Sequence, residues 1–314
     1  MIFAPSLADL PRAGTLHVVA APPRGSWAAV AIADETRRQG GSSREDGLVL
    51  IGPSQAARSA RSLGIVVDAA IEPPLGIPGL LGRRLREVVV RRGVAPLTVQ
   101  TWGPRLASAV HTATGLAERI VHSRPPADAD ELCANAAARF WRGHLESDRV
   151  CVRAELGIPE DAFVVLAGGD CAQSIDASGA FAVAGRAALS GAPVVLMAPS
   201  SARSAPQARR YAMASGLDRA LVTIEQAEMP SRLWLAADAR LLLRPIDASL
   251  APWWGFTAWW ALAAGLHVVA ESCGPRIDGV VSFTPGVIEA ASLRLVELAR
   301  LRQECREPRA PTHR

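Results

Sequence analysis

The sequence predicts an α/β protein made of two doubly wound halves, and three observations carry that prediction. From Leu16 onward, short apolar runs alternate with helical stretches, the pattern of parallel α/β units. The alternation is interrupted once, at the Pro-Pro that opens "RPPADADELCANAAARFWRGHLESDRV" (Arg124–Val150), and then begins again. The length, 314 residues, exceeds the usual single domain, so two domains of roughly 150 residues each are expected.

In the first half "LHVVAAP" (Leu16–Pro22) reads as a strand and "SWAAVAIADETRRQ" (Ser26–Gln39) as a helix with Ser26 as N-cap. "GLVLIG" is the next strand, and "SQAARSARSLG" a helix closing on a glycine suited to a left-handed cap. "IVVDAAI" is a third strand. The loop "EPPLGIPG" leads into an Arg-rich helix around Leu80–Arg92, and "PLTVQTWG" and "AERIVHS" are two further strands with "RLASAVHTATG" as the helix between them. The stretch Arg124–Val150 becomes a polar helix after its Pro-Pro break and is expected to connect the halves.

The second half opens with "AFVVLAGGD", a strand running into a glycine turn, followed by strands "APVVLMAPS", "RALVTI", "ADARLLLRP" and "GLHVVAE". Helices near Ser174–Leu189, Ser204–Ser215, Met229–Ala236 and Gly255–Ala264 separate them, and an Arg/Glu-rich amphipathic helix from Ile288 to about Arg306 closes the chain. The expected organisation is a first Rossmann-like unit over 1–125, a connection over 126–150, a second unit over 151–287, and a helix with a basic tail over 288–314.

Composition narrows the chemistry. All 34 basic residues are arginines, so Schiff-base lysines and a P-loop lysine are excluded, and guanidinium is the one permanent cation for a phosphate. A net charge of +4, spread along the chain, argues against nucleic acid as a partner. The 5 cysteines are scattered without a C-x-x-C pair, which indicates neither a disulfide framework nor a zinc site. "MIFAPSLADLPRAG" lacks a basic start and a long apolar core, and no apolar run reaches transmembrane length. The cytoplasm is the expected compartment, with peripheral membrane contact left open.

From "VRAELGIPEDAFVVLAGGD" through "SGAPVVLMAPS" to "WWGFTAWWALAAGLHVVAE", the residues from about Arg149 to Arg300 carry an ordered set of features that resembles the nucleotide-sugar-binding domain of GT-B glycosyltransferases, the retaining "group 1" or family 4-like type. "VRAELGIPEDAFVVLAGGD" is similar to that domain's opening, and "SGAPVVLMAPS" to its next strand. "YAMASGLDRALVTIEQAEMPSRLWLAADARLLLRP" is similar to its succeeding helix, Gly-Leu, strand, loop, short helix, Ala-Asp and strand. "WWGFTAWWALAAGLHVVAE" then looks like the signature of aromatic-Gly-apolar, Ala-Ala-Gly-Leu and Val-Val. In the first half "APPRGSW", "VQTWG" and "IVHS" resemble the acceptor-side domain more loosely.

The resemblance implies the GT-B architecture, two Rossmann-like domains facing a central cleft, and a hexosyltransferase-type reaction moving a sugar from a nucleotide-sugar donor to an unknown acceptor. It also implies no cofactor, the nucleotide-sugar being a substrate. No carboxylate pair suggests a divalent ion, so no metal is expected. Gly168 and Gly169 fit the glycine pair, and Gly255, Phe256 and Thr257 the phosphate-binding turn. The family's cation position falls at Asp170 and its two glutamate positions at Pro252 and Trp260. Asp247, in the long loop "RPIDASLAP", is the candidate to replace the first glutamate, and His122 is the acceptor-side catalytic candidate. Arg24, Arg203 and Arg244 are candidates for the missing cation, while Gly25, Trp102, Trp254 and Glu271 are further cleft candidates. Trp259 and Trp260 are expected to pack against the sheet, with Trp253 and Trp254 open between packing and stacking on a ligand. The departures motivate an alternative, a catalytically inactive homologue that keeps the cleft as a binding or interaction surface.

Overall fold

The computed structural model describes residues 10–11, 13–20, 27–39, 46–52, 56–62, 65–72, 78–93, 96, 98–102, 110, 120–123, 128–141, 146–168, 175–202, 204–224, 235–244, 254–272 and 277–306. Its elements run β1 (Thr15–Ala20), α1 (Trp27–Gln39), β2 (Gly47–Ile51), α2 (Ala56–Ser62), β3 (Ala69–Ile71), α3 (Pro78–Arg92), β4 (Thr98–Trp102) and β5 (Ile120–Ser123). Next come α4 (Ala129–Trp141), α5 (Glu146–Glu155), β6 (Phe163–Gly168), α6 (Ala177–Leu189), β7 (Val194–Pro199), α7 (Ala205–Ala214) and β8 (Leu221–Ile224). The chain continues through β9 (Ala239–Leu242), α8 (Trp254–Ala263), β10 (His267–Glu271), β11 (Val280–Phe283) and α9 (Ile288–Arg306).

The strands form two sheets, ordered β3-β2-β1-β4-β5 and β11-β10-β9-β6-β7-β8. All pairings are parallel, and a parallel sheet needs both faces covered, which explains the unbroken apolar runs of β2, β6 and β7. Each sheet reverses its strand order once, between β1 and β4 in the first and between β6 and β9 in the second. In open α/β sheets that reversal opens a crevice at the carboxyl ends of the strands.

One face of the second sheet packs on α6, α7 and α9 through Val165, Ala167, Phe181, Leu241 and Leu295. One face of the first packs on α3 through Leu81, Leu85 and Val89. The remaining faces share a single continuous core. It joins Val19, Val30 and Leu50 of the first half to Leu132, Cys133 and Ala136 of α4, and these to Val164, Leu166, Trp260 and Val268 of the second half. Desolvation in this core pushes the Cys133 thiol well above its usual range.

Two motifs quoted from the sequence have a backbone explanation. "ELGIP" and "AAGLH" each end a helix on a left-handed glycine, Gly157 at φ 66° and Gly265 at φ 75°. Gly157 donates to Ala154 O and Ile158 to Arg153 O, and Gly265 donates to Leu262 O and Leu266 to Ala261 O, the paired closure that satisfies the last carbonyls of a helix.

The structure corrects the expected elements in three places. The segment around the connection is two helices, α4 and α5, and α4 is not merely polar, because Leu132, Cys133 and Ala136 are buried between α1 and α8. A sixth strand of the second sheet, β11, was not expected. It covers only four residues and pairs with β10 alone, so it offers little apolar periodicity to read. The third strand is confined to Ala69–Ile71, because only these three residues pair in register with β2. The expected helices over "RLASAVHTATG" and Met229–Ala236, and the caps at Ser26 and Gly64, fall mostly or wholly outside the described residues.

Candidate functional site

The second sheet's switch point is bounded by the carboxyl ends of β6 and β9, where Gly168 pairs with Leu242. Gly168 is glycine because the space beside it is filled. A Cβ there would stand 2.5 Å from Arg240 Nε, 2.5 Å from Leu242 Cδ2 and 3.0 Å from Arg240 Cγ. The expected phosphate-binding glycine is therefore also a packing requirement.

Arg240 interrupts the apolar strand β9 and is only 2% exposed. Its backbone pairs with Leu166, two residues before Gly168, yet its Nε lies beside Gly168. The side chain thus runs along the sheet toward the carboxyl edge, on the face covered by α8.

Helix α8 starts beyond the carboxyl end of β9 and packs on β9, β10, α4 and α1. Its first turn, which includes Gly255, leaves backbone N–H groups without intrahelical partners, and the helix dipole makes that end attractive to an anion. Thr257 is 1% exposed, and its backbone N–H belongs to that first turn. Trp260 is also 1% exposed and sits in the shared core, with Trp259 partly buried against the same core. Both tryptophans pack as expected.

The helix after β6 is arranged differently. Asp176 caps α6, accepting from Gly179 N at 3.0 Å, Ser178 Oγ at 2.8 Å and Ser204 Oγ at 3.0 Å. Burial pushes its carboxyl up, but these hydrogen bonds outweigh burial and hold it below the usual carboxylate range. The α6 N-terminus already has its own anion, whereas α8 carries no acidic residue in its first turn.

Glu271, a cleft candidate, is half-buried and accepts backbone N–H bonds from Arg244 and from Gly286, the latter at 3.2 Å. Its carboxylate ties the end of β10 to the segments after β9 and β11, so it acts as a clamp at the sheet edge. Arg244 lies at the same edge and is exposed. In the first sheet, Trp102 ends β4 opposite Ser123, and His122 pairs with Thr101, so their backbones stand at the carboxyl edge near that sheet's switch point. Trp254 and Phe256 lie in the first turn of α8. Asp247, Gly169, Arg24, Gly25 and Arg203 lie outside the described residues, as do Asp170 and Pro252.

Sequence reading missed Arg240. The available signal was an arginine inside "ADARLLL", a strand otherwise apolar after its leading aspartate, where a parallel sheet ordinarily buries only apolar side chains.

Two further charged clusters hold the scaffold. Buried Asp238 accepts from Arg153 at 2.7 Å, Arg302 at 2.9 Å and Val164 N at 2.7 Å, and also from Arg149, joining α5 and α9 to the amino end of the second sheet. Asp34 of α1 pairs with Arg37 at 2.8 Å and Arg38 at 2.9 Å, while Arg139 of α4 reaches Glu35 at 2.8 Å. Among the described residues no group of three or more His, Cys, Asp or Glu is placed to hold a metal ion. No helix among them is long and apolar enough to cross a membrane.

No protein-family model matches the chain, and no curated protein matches its sequence. Solved structures do match. A putative UDP-N-acetylglucosamine 2-epimerase from Listeria monocytogenes aligns with TM-score 0.56 and 13% identity over 94% of this chain and 89% of that one. Anabaena Alr3699/HepE in complex with UDP-glucose aligns with TM-score 0.53 and 13% identity over 92% and 91%. ADP-heptose LPS heptosyltransferase II from E. coli aligns with TM-score 0.51 and 12% identity over 92% and 99%. The fold is GT-B. Both sheets are parallel and each reverses its strand order once, and Gly168 and the backbones of Trp102 and His122 stand at the carboxyl ends of these strands. At these identities the likeness is one of GT-B fold, and it spans heptosyl transfer and epimerisation alike.

Proposed function

We propose that the protein binds a nucleotide-sugar in the cleft above the second sheet and transfers its sugar to an acceptor held by the first. The observation that carries this reading is the switch point between β6 and β9. There the α8 N-terminus carries no acid in its first turn while α6 is already capped by Asp176, so one helix end is left for an anionic diphosphate. The heptosyltransferase and the UDP-glucose-bound neighbour share this scaffold and support a nucleotide-sugar as the ligand.

In the reaction, the bond from the anomeric carbon to the diphosphate oxygen breaks, with its electron pair leaving on the nucleoside diphosphate. A hydroxyl oxygen of the acceptor forms the new bond and gives up its proton. Amides of Gly255–Thr257 stabilise the departing charge, and His122, on the facing sheet, is the candidate to take the proton. Asp247 is the candidate carboxylate at the donor sugar. The domain limits 1–125 and 151–287, with the connection between them, remain the proposed division of labour. The cytoplasm is the proposed compartment.

A second reading is favoured by Trp260. Its indole is buried in the shared core, so the position where the family carries a glutamate supplies no carboxylate to the cleft. On that reading the protein binds the nucleotide-sugar without transferring it. A thermal-shift panel of UDP-, GDP- and ADP-sugars, followed by an assay for donor hydrolysis, separates the readings. Stabilisation with release of the nucleoside diphosphate supports transfer, stabilisation without turnover supports the binding protein, and no shift with any donor overturns both.

A further inference from the structure

We propose that Arg240 is the cation that holds the donor's diphosphate, a role for which the chain has no lysine and for which Asp170 occupies the expected position. The inference rests on the reading of the second-sheet cleft as a nucleotide-sugar site and assigns a residue within it.

Arginine inside a parallel strand is costly to bury, because the guanidinium always carries its charge and must give up water. Among the described residues two arginines are buried, Arg153 and Arg240. Arg153 is accounted for structurally. It donates to Asp238, to Ala236 O at 2.7 Å and to Ala162 O at 3.0 Å, all at the amino end of the sheet.

Arg240 is oriented the other way. Its Cα sits level with Leu166, and its Nε has reached the level of Gly168, one strand repeat further toward the carboxyl edge. The chain keeps a glycine at 168, where any side chain would displace Arg240 Nε, so the path of the guanidinium is built into the neighbouring strand. At Nε that path is level with Gly168 at the switch point, on the sheet face that α8 covers. The guanidinium has five N–H donors, so the interaction that Arg240 makes within the protein is compatible with donating to a phosphate. The low exposure of Arg240 raises the strength of such a charge-assisted pair. Arg244, the other arginine of this strand's end, is exposed to solvent and is correspondingly weak as a phosphate ligand.

The test is isothermal titration of wild type, Arg240→Met, Arg240→Lys and Gly168→Ala with UDP and uridine and with ADP and adenosine, each variant's fold being checked by circular dichroism. Wild type is expected to bind one diphosphate more tightly than its nucleoside. Arg240→Met is expected to weaken the diphosphate about ten- to a hundred-fold while leaving the nucleoside unchanged, which a purely structural residue would not do. Gly168→Ala, by displacing the guanidinium, should lower the same ratio, and Arg240→Lys should lose less. If Arg240→Met does not fold, Arg240→Lys decides by the same ratio. Undiminished diphosphate affinity in the folded Arg240 variants overturns the proposal and leaves the donor-site reading standing. Failure of wild type to bind either diphosphate overturns that reading, and the proposal falls with it.

Discussion

Truncating Trp260 to alanine separates a tryptophan that builds the cleft wall from one that touches ligand. Trp260 is 1% exposed and lies in the core that joins both halves of the chain. An indole that buries roughly 150–250 Å² contributes about 4–6 kcal/mol at about 25 cal/mol per Å². Measured Trp or Phe to Ala changes in cores cost about 3–5 kcal/mol, so the two routes agree. That is a large share of the roughly 5–15 kcal/mol that holds a typical protein together. Because the core runs through Val30, Leu132 and Trp260 without a break, the loss should lower one cooperative transition rather than one of two. The assay is urea unfolding followed by circular dichroism, since fluorescence would be altered by removing an indole. Trp260→Phe should lose less and keep nucleoside diphosphate affinity within about two-fold, by preserving most of the buried volume. A stability change under about 0.5 kcal/mol, the size expected of a surface substitution, would refute the packing argument. A large loss of nucleotide affinity in a fully stable Trp260→Phe would do the same.

Other outcomes concern the buried polar groups. Burial holds the His17 imidazole down at about 4, with Arg37 adding to the effect and Asp46 and Asp34 opposing it, so between pH 6.5 and 4 the unfolded chain binds a proton that the folded one refuses. Stability that is complete above pH 6.5 should therefore decline by about 3 kcal/mol as pH falls to 4, and His17→Gln should flatten that part of the denaturation profile. Asp176→Ala should cost about 1 kcal/mol in urea unfolding through loss of the α6 cap. Since the Asp176 carboxyl is held low, its contribution should be complete above about pH 4 and disappear as pH falls below that. Nucleotide affinity should be unaffected. Asp238→Asn leaves Arg149, Arg153 and Arg302 around a neutral amide and should cost about 3–5 kcal/mol; a change below about 1 kcal/mol would show that the cluster is dispensable.

Much of this architecture was legible in the residues. β2, β6 and β7 announce themselves because strands buried on both faces are apolar throughout, and the glycines of "ELGIP" and "AAGLH" stop helices as their left-handed geometry requires. The packing of Trp259 and Trp260 was legible from their place in a small-residue helix. β11 was not, because four residues at a sheet edge carry no period. α4 reads as a polar connector because charged flanks surround it and most of its apolar residues are alanines, and only the approach of α1 and α8 from either side makes Leu132, Cys133 and Ala136 a core. Arg240 was hidden in plain view. A sequence shows an arginine in a strand, but which face it takes and where its guanidinium ends depend on the register with β6 and on the missing side chain at Gly168. Glu271 reads equally as a cleft carboxylate or as an exposed one, and no sequence pattern shows that both its oxygens accept from backbone amides at the sheet edge.

The position of a bound diphosphate tests the donor site most directly. A crystal structure of the protein soaked with UDP-glucose, and with an ADP-sugar in parallel, should show the diphosphate against the backbone amides of Gly255–Thr257 with Arg240 donating to it above Gly168. Side chains of Trp253 or Trp254 filling that space, or a nucleotide held elsewhere on the protein, would contradict it.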